Sequence, residues 1–309
     1  MLLDLQAGTA YEYRYGLSEK GPWSKVYTFE TASLDETVIY VLGDLEPAYE
    51  LPEDFKRFNE MLEVLREKND RGRLMLQLGN FVRKASHIES WQDRFEHMIS
   101  KWNLISAHIA GESESYTRKE RVGTFKGFFN LPKNGLNHLQ ELNYSFDYGD
   151  IHVAVIHTAA DLDEQLAWLK EDMQTTQASW KVVVGHHSFY GGNRTEAERK
   201  KMTDALQESG VHLYIGGNDR MYRRTVMFDH AKTDNDRHGT TFISAGTAGS
   251  EFKEVQRFEW DQAVHEEKVP TGIVLQANAA GLTVAAYDIN GNEVDSFRMS
   301  SRTNGNGIE

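Results

Sequence analysis

Cysteine is absent from the 309 residues. That one absence excludes disulfides, thiolate metal sites and cysteine nucleophiles, and it leaves the compartment open. No apolar run approaches the ~18 residues that a membrane-spanning helix needs. The best candidate, Ile151–Ala160, is short and carries two histidines. Basic residues are in the minority: Lys plus Arg number 34 against 47 Asp plus Glu, a formal charge of −13. An acidic fold repels nucleic acid and anionic membrane unless it carries a local basic patch, so neither is expected as a partner. The opening Met1-Leu2-Leu3-Asp4-Leu5-Gln6-Ala7-Gly8 shows no basic n-region and no apolar h-region, the two parts of a signal peptide. What remains is a globular composition, 39% hydrophobic and 11% aromatic. It is rich enough for a sizeable core and excludes a disordered chain. Oligomeric state and compartment are not legible.

Residues 5–31 read as two strands. Tyr11, Tyr13 and Tyr15 alternate with Ala10, Glu12 and Arg14, the period of a strand. A turn with Gly16, Gly21 and Pro22 comes next, then Trp23–Thr31 as a second strand. Two strands alone are not a stable domain. Either Tyr11, Tyr13 and Phe29 dock on the main body of the chain, or the chain begins inside a domain whose front half is missing. Ala32–Thr37 reads as a linker, and residues 301–309 as a frayed polar tail.

From Val38 onward strands and helices alternate. Val38–Leu42, Leu74–Leu78, Leu104–Ile109, Lys181–Val184 and His212–Ile215 read as short apolar strands. Phe55, Phe58, Leu62 and Leu65 mark one helix face, and Trp91, Phe95, Met98 and Trp102 another. Leu162–Met173 and Ala197–Glu208 read as helices, and Tyr144–Tyr148 with Ile151–His157 as a hairpin. The last third turns to strands: Arg224–Phe228, Thr240–Ser244, Gly272–Asn278, Leu282–Asp288 and Val294–Met299.

Five strands end in Gly followed by a polar residue: Gly43-Asp44, Gly79-Asn80, Gly111-Glu112, Gly185-His186 and Gly217-Asn218. Strand C-termini in such sheets converge on one edge, where ligands sit. Asp44, Glu46, Asn80, Glu112, His186 and Asn218 offer oxygen and imidazole donors, which suit hard or borderline divalent cations.

The order and context of these endings resemble the calcineurin-like metallophosphoesterases, in their purple-acid-phosphatase-like branch. Tyr144-Ser145-Phe146-Asp147-Tyr148-Gly149, Gln165-Leu166-Ala167-Trp168-Leu169, Trp180 through His187 and Gly239 through Gly249 look like the family. Residues 1–32 resemble the end of its fibronectin-III-like domain, with Ala7 where Pro is usual. The resemblance implies a mixed α+β and α/β architecture over 33–300. Two β-sheets would pack face to face with helices outside, a four-layer αββα sandwich behind a short N-terminal β remnant.

The family's two metals are bridged by an Asp and activate a water. Matched position by position, Asp44 is kept, with Glu46 in place of His or Gln. Asn80 stands for the bridging Asp. Gly111-Glu112-Ser113-Glu114 stands for Gly-Asn-His-Glu/Asp, so Ser113 replaces the proton-donor His. His186 is kept, and Gly217-Asn218-Asp219-Arg220 replaces Gly-His-x-His.

Arg220 is a permanent cation and cannot ligate a metal. It is expected at the first metal position, paired with Asp44, Glu46 or both. At the second position Glu112, His186, Asn80 and Asn218 would hold at most one weakly bound Mg²⁺, Mn²⁺ or Zn²⁺, or none. Asp44, Glu46, Arg220, His187, Tyr222 and Arg223 would line an anion pocket. Each residue has a plainer reading: Asp44 as a helix cap, His186 and His187 as strand-end histidines, Glu112 and Glu114 in an exposed loop, Arg220 in solvent. Three functions are compatible with these residues. The first is an impaired phosphatase that binds a phosphate-like anion, a phosphorylated ligand or a partner. The second is a working phosphomonoesterase with one metal. The third is an interaction module with a salt-bridged, closed pocket.

Overall fold

The computed structural model describes residues 5–33, 35–45, 52–96, 104–115, 119–192, 194–233 and 239–299. The expectations for Glu46, Met98, Trp102 and the tail 301–309 lie outside these residues.

The chain opens with the antiparallel pair β1 (Ala10–Tyr13) and β2 (Tyr27–Glu30). Tyr11 stacks on Phe29 and Tyr13 on Tyr27. Glu30 ties the ribbon to the main body through Arg73 at 2.7 Å.

Next come β3 (Glu36–Leu42), α1 (Pro52–Lys68), β4 (Leu74–Gln77), α2 (Ile88–Arg94), β5 (Ile105–His108), α3 (Glu112–Ser115) and α4 (Lys119–Phe128). The middle of the chain supplies β6 (Tyr144–Tyr148), β7 (Ile151–Ile156), α5 (Asp163–Thr175), β8 (Trp180–His187), α6 (Glu196–Glu208) and β9 (Leu213–Gly217). The remaining strands are β10 (Tyr222–Phe228), β11 (Ala231–Lys232), β12 (Thr240–Ala245), β13 (Ala263–Val264), β14 (Thr271–Asn278), β15 (Gly281–Asp288) and β16 (Glu293–Met299).

They form two mixed sheets. The first has the order β16-β15-β14-β3-β4-β5, with β3, β4 and β5 parallel. The second has the order β11-β10-β12-β9-β8-β7-β6, with β13 beside β10 and β7, β8, β9 and β12 parallel. The central strands are mainly apolar because both faces are covered. Val153, Val155, Val182 and Val184 share one core with Ile39, Val41 and Leu76 of the opposing sheet. Their alternates Ala154, Ile156 and Val183 pack with Leu166 and Leu169 of α5 and Met202 and Leu206 of α6. On the other flank α1 buries Phe58, Met61, Leu62 and Leu65. Helix, sheet, sheet, helix is the layering the resemblance implied. No helix among the described residues is long and apolar enough to cross a membrane.

Two local expectations change. The strand from Lys181 does not stop at Gly185: β8 runs through His187, with a register irregularity between Gly185 and His187. The segment after Gly111 is not an exposed loop, because α3 turns there and buries Glu114 completely.

Candidate functional site at the strand ends

Parallel pairing brings the ends of β3 and β4 to one edge of the first sheet, and those of β8 and β9 to one edge of the second. The two edges are stitched together at Asp44. This residue forms an isolated parallel bridge with Thr247, and its carbonyl accepts the Thr247 hydroxyl and the Ala248 N–H, both at 2.8 Å.

The Asp44 side chain is fully buried. Its Oδ1 accepts the backbone N–H of Asn218 at 2.8 Å, and its Oδ2 accepts the amide of Asn80 at 3.3 Å. Arg220 Nε lies 3.9 Å from Oδ2, and His186 Nδ1 lies 3.8 Å from Oδ1. Burial pushes the Asp44 carboxyl up to about 6, against the pull of the Asn218 N–H, Arg220 and Asn80.

Asn80 sits at φ +49, in the left-handed region that Asn tolerates better than most residues. Its Oδ1 accepts the Ser113 N–H at 3.0 Å. That bond fixes the amide, so the NH₂ rather than the oxygen faces Asp44. Asn80 N–H in turn donates to Glu114 at 2.9 Å, as do Gly111 at 2.8 Å and Val82 at 3.0 Å. Burial pushes Glu114 up to about 7, while these backbone donors pull it down. Glu114 therefore welds the β4 end to the β5 end.

His186 is buried, and its Nδ1 bonds the Leu78 carbonyl at 2.7 Å. A carbonyl only accepts, so Nδ1 carries the proton. His187 points the other way. Its Nδ1 meets the Thr158 hydroxyl at 2.8 Å and its Nε2 meets Glu112 at 3.0 Å. Burial lowers the His187 imidazole, with Glu112 opposing, and the bond to His187 lowers Glu112. His157 lies close behind, pushed down to about 4 by burial and by its two histidine neighbours.

The structure thus gathers Asp44, Asn80, Glu112, Ser113, His186, His187, Asn218 and Arg220 into one region. Arg220, at φ +53, reaches Glu251 at 2.6 Å as well as Asp44. Glu251 has no motif around it, and only the fold reveals it. Tyr222 and Arg223 do not join the group, which corrects the expectation for them. Tyr222 donates to Asp295 of β16 at 2.8 Å. Arg223 is buried against Asp219 and Asp261 and lies over the Phe258 ring. Neighbouring strand residues point to opposite faces, so proximity in sequence to Arg220 does not carry these side chains to the site.

A model of the calcineurin-like phosphoesterases matches residues 37–218, more than half of the chain. The purple acid phosphatase of yellow lupin (Lupinus luteus) seeds superposes with a TM-score of 0.78 at 16% identity over 96% of this chain. The chain spans 60% of the length of that structure. GAP50 of Plasmodium, described as the anchor in the inner membrane complex, superposes at 0.65 with 15% identity, covering 88% of this chain and 90% of its own. A dimetal phosphatase from Danio rerio reaches 0.54 at 10% identity, covering 86% and 99%. No curated protein matches the sequence. On the match over residues 37–218, the chain belongs to the calcineurin-like phosphoesterase family.

Proposed function

We propose that this protein is a phosphoesterase-fold member whose two-metal centre has given way to an internal charge pair. In this reading it is a catalytically impaired phosphatase that binds a phosphate-like anion or a phosphorylated partner. One observation carries it: the guanidinium of Arg220 lies beside the buried carboxylate of Asp44, 3.9 Å away, where a pair of inorganic cations would be needed.

The surrounding donors support the same reading. Two divalent ions bring about four positive charges and require anionic bridging ligands. At the bridging position Asn80 presents N–H groups to Asp44, and its oxygen is taken by Ser113. Asp44 itself already accepts two hydrogen bonds. This set does not fit two metal ions. Ser113 has no titrating group near neutrality, and general acid catalysis is typically worth ~10²–10⁴-fold. The single-metal alternative draws no support, since Glu112 is engaged by His187 at 3.0 Å. Anion binding is favoured by Arg220, whose side chain is 21% exposed, and by His187 in the same edge group. An incoming phosphate would exchange with the Glu251 and Glu112 carboxylates.

Two measurements test this. Hydrolysis of an aryl phosphate, with Mg²⁺, Mn²⁺ or Zn²⁺ supplied, should not exceed that of the His186→Ala variant. Inorganic phosphate should raise the melting temperature, and Arg220→Ala should abolish the rise. Metal-dependent turnover well above the variant overturns the reading. A phosphate shift that survives Arg220→Ala places the anion elsewhere.

A further inference from the structure

A second cluster of ligand-bearing side chains lies away from the strand-end site. We propose that His265, Glu267 and Asp288 bind one divalent transition cation, best matched by zinc, as a clamp between the two sheets. A ring nitrogen of His265 and one carboxylate oxygen each from Glu267 and Asp288 lie within 4.8 Å of one another. A second observation points the same way: Nε2 of His265 is buried and has no hydrogen-bond partner. A buried imidazole nitrogen left unsatisfied is a site of stored cost, and a metal ion is one of the few ligands that relieves it.

The three residues reach the cluster from separate parts of the fold. His265 comes directly after β13, and its backbone N–H donates to the Tyr222 carbonyl of β10 at 3.1 Å, which fixes it to the second sheet. Asp288 ends β15 of the first sheet and is 1% exposed. Its Oδ1 accepts the N–H groups of Asn290 at 2.8 Å and Asn292 at 2.9 Å, and its Oδ2 accepts the Asn292 amide at 2.8 Å. A carboxylate offers about four lone-pair sites, so one remains for a metal. The turn holds this carboxylate in place, while the exposed Glu267 is free to swing inward.

The spacing suits zinc. Three donors no more than 4.8 Å apart leave a centre at most about 2.8 Å from each, so an inward shift of no more than about 0.7 Å gives ordinary zinc distances. One imidazole and two carboxylates favour a borderline ion over Ca²⁺ and Mg²⁺, which prefer all-oxygen sets. A fourth position would hold water.

The test is a calorimetric titration of the full chain with ZnCl₂, in wild-type and His186→Ala protein, since the second removes the one imidazole of the strand-end ligand set. One zinc per chain is expected in both. Glu267→Gln, on an exposed residue, cannot disturb the core and should weaken binding at least tenfold. His265→Ala should do the same and abolish a zinc-induced rise in melting temperature. The proposal fails if no stoichiometric zinc binds. It also fails if affinity is unchanged in Glu267→Gln, or if the bound zinc disappears in His186→Ala.

Discussion

The backbone N–H of Asn218 donates to Oδ1 of Asp44 at 2.8 Å, across 174 positions of sequence. The contact depends on Gly217, where a Cβ would lie 2.6 Å from the same oxygen. Removing the carboxylate in Asp44→Ala would take the acceptor from the Asn218 N–H and the Asn80 amide, and one carboxylate from beside Arg220. A loss of about 3 kcal/mol is expected near neutral pH. The loss grows with acid. The folded carboxyl titrates at about 6 against an ordinary 3.8, so the folded state binds the proton more tightly. The stabilising share of wild-type Asp44 is whole below about pH 4 and falls as pH rises towards 6. Urea midpoints at pH 4.5 and 7.5 should therefore show the wider wild-type-to-variant gap at 4.5.

Gly79→Ala should be among the most damaging single-methyl additions in the chain. Gly79 adopts φ +97, and an added Cβ would meet His186 Nδ1 at 2.6 Å and Gly111 Cα at 2.8 Å. Backbone strain and the clash act together, because neither the strand-end backbone nor the buried imidazole can retreat. A cost of at least ~2 kcal/mol is expected, read from urea unfolding. A cost below half of that would mean the strand ends can yield to the added methyl.

The fold was legible because Gly43-Asp44, Gly79-Asn80, Gly111-Glu112, Gly185-His186 and Gly217-Asn218, with the segments between them, resemble the calcineurin-like phosphoesterases, and that resemblance implied the layering. Those endings brought Asp44, Asn80, His186 and Asn218 together from the sequence pattern alone. Glu114 was not legible. It lies in a polar run without periodicity, and its burial is due to backbone N–H groups of Asn80 and Val82 more than 30 positions away. Glu251 was missed for a similar reason, since only tertiary contact puts it beside Arg220. Tyr222 and Arg223 were wrongly drawn into the site, because closeness in sequence to Arg220 says nothing about which face of β10 each side chain takes.

His108 should make the fold acid-sensitive. Its ring is buried between Phe81, at 4.9 Å, and Phe129, stacked at 4.2 Å. Both ring nitrogens lack hydrogen-bond partners, and burial pushes the imidazole down to about 3. Below the ordinary value near 6.5 the unfolded chain gains a proton that the folded ring refuses. Stability from this group is whole above pH 6.5 and falls with acid down to about 3. His108→Phe should stabilise the protein modestly at pH 7.5. At pH 5 the advantage should grow by about 2 kcal/mol, some 1.5 pH units at ~1.4 kcal/mol each. Equal shifts in melting temperature at both pH values would show that the imidazole is not held neutral.

Arg224 and Tyr222 share one face of β10, and both reach Asp295 across the gap between the sheets. Arg224 contributes Nε at 2.6 Å and Nη2 at 3.1 Å, and the Tyr222 hydroxyl adds 2.8 Å. The side chains of Arg224 and Asp295 are only 17% and 10% exposed, so this is a partly buried ion pair rather than a surface one. Such a pair is expensive to break from one side and cheap to replace as a whole. Asp295→Ala should therefore cost ~3–5 kcal/mol, and Tyr222→Phe about 1 kcal/mol. The triple change Asp295→Leu, Arg224→Met and Tyr222→Phe should recover most of the loss. A double-mutant cycle between Tyr222 and Asp295 should give a coupling of at least ~0.5 kcal/mol. Recovery in the triple variant would mean that the cluster sets how the two sheets are aligned, while the apolar core between them supplies the cohesion. If the triple variant is instead as unstable as Asp295→Ala, the ion pair itself holds the sheets together, and their alignment cannot be separated from its strength.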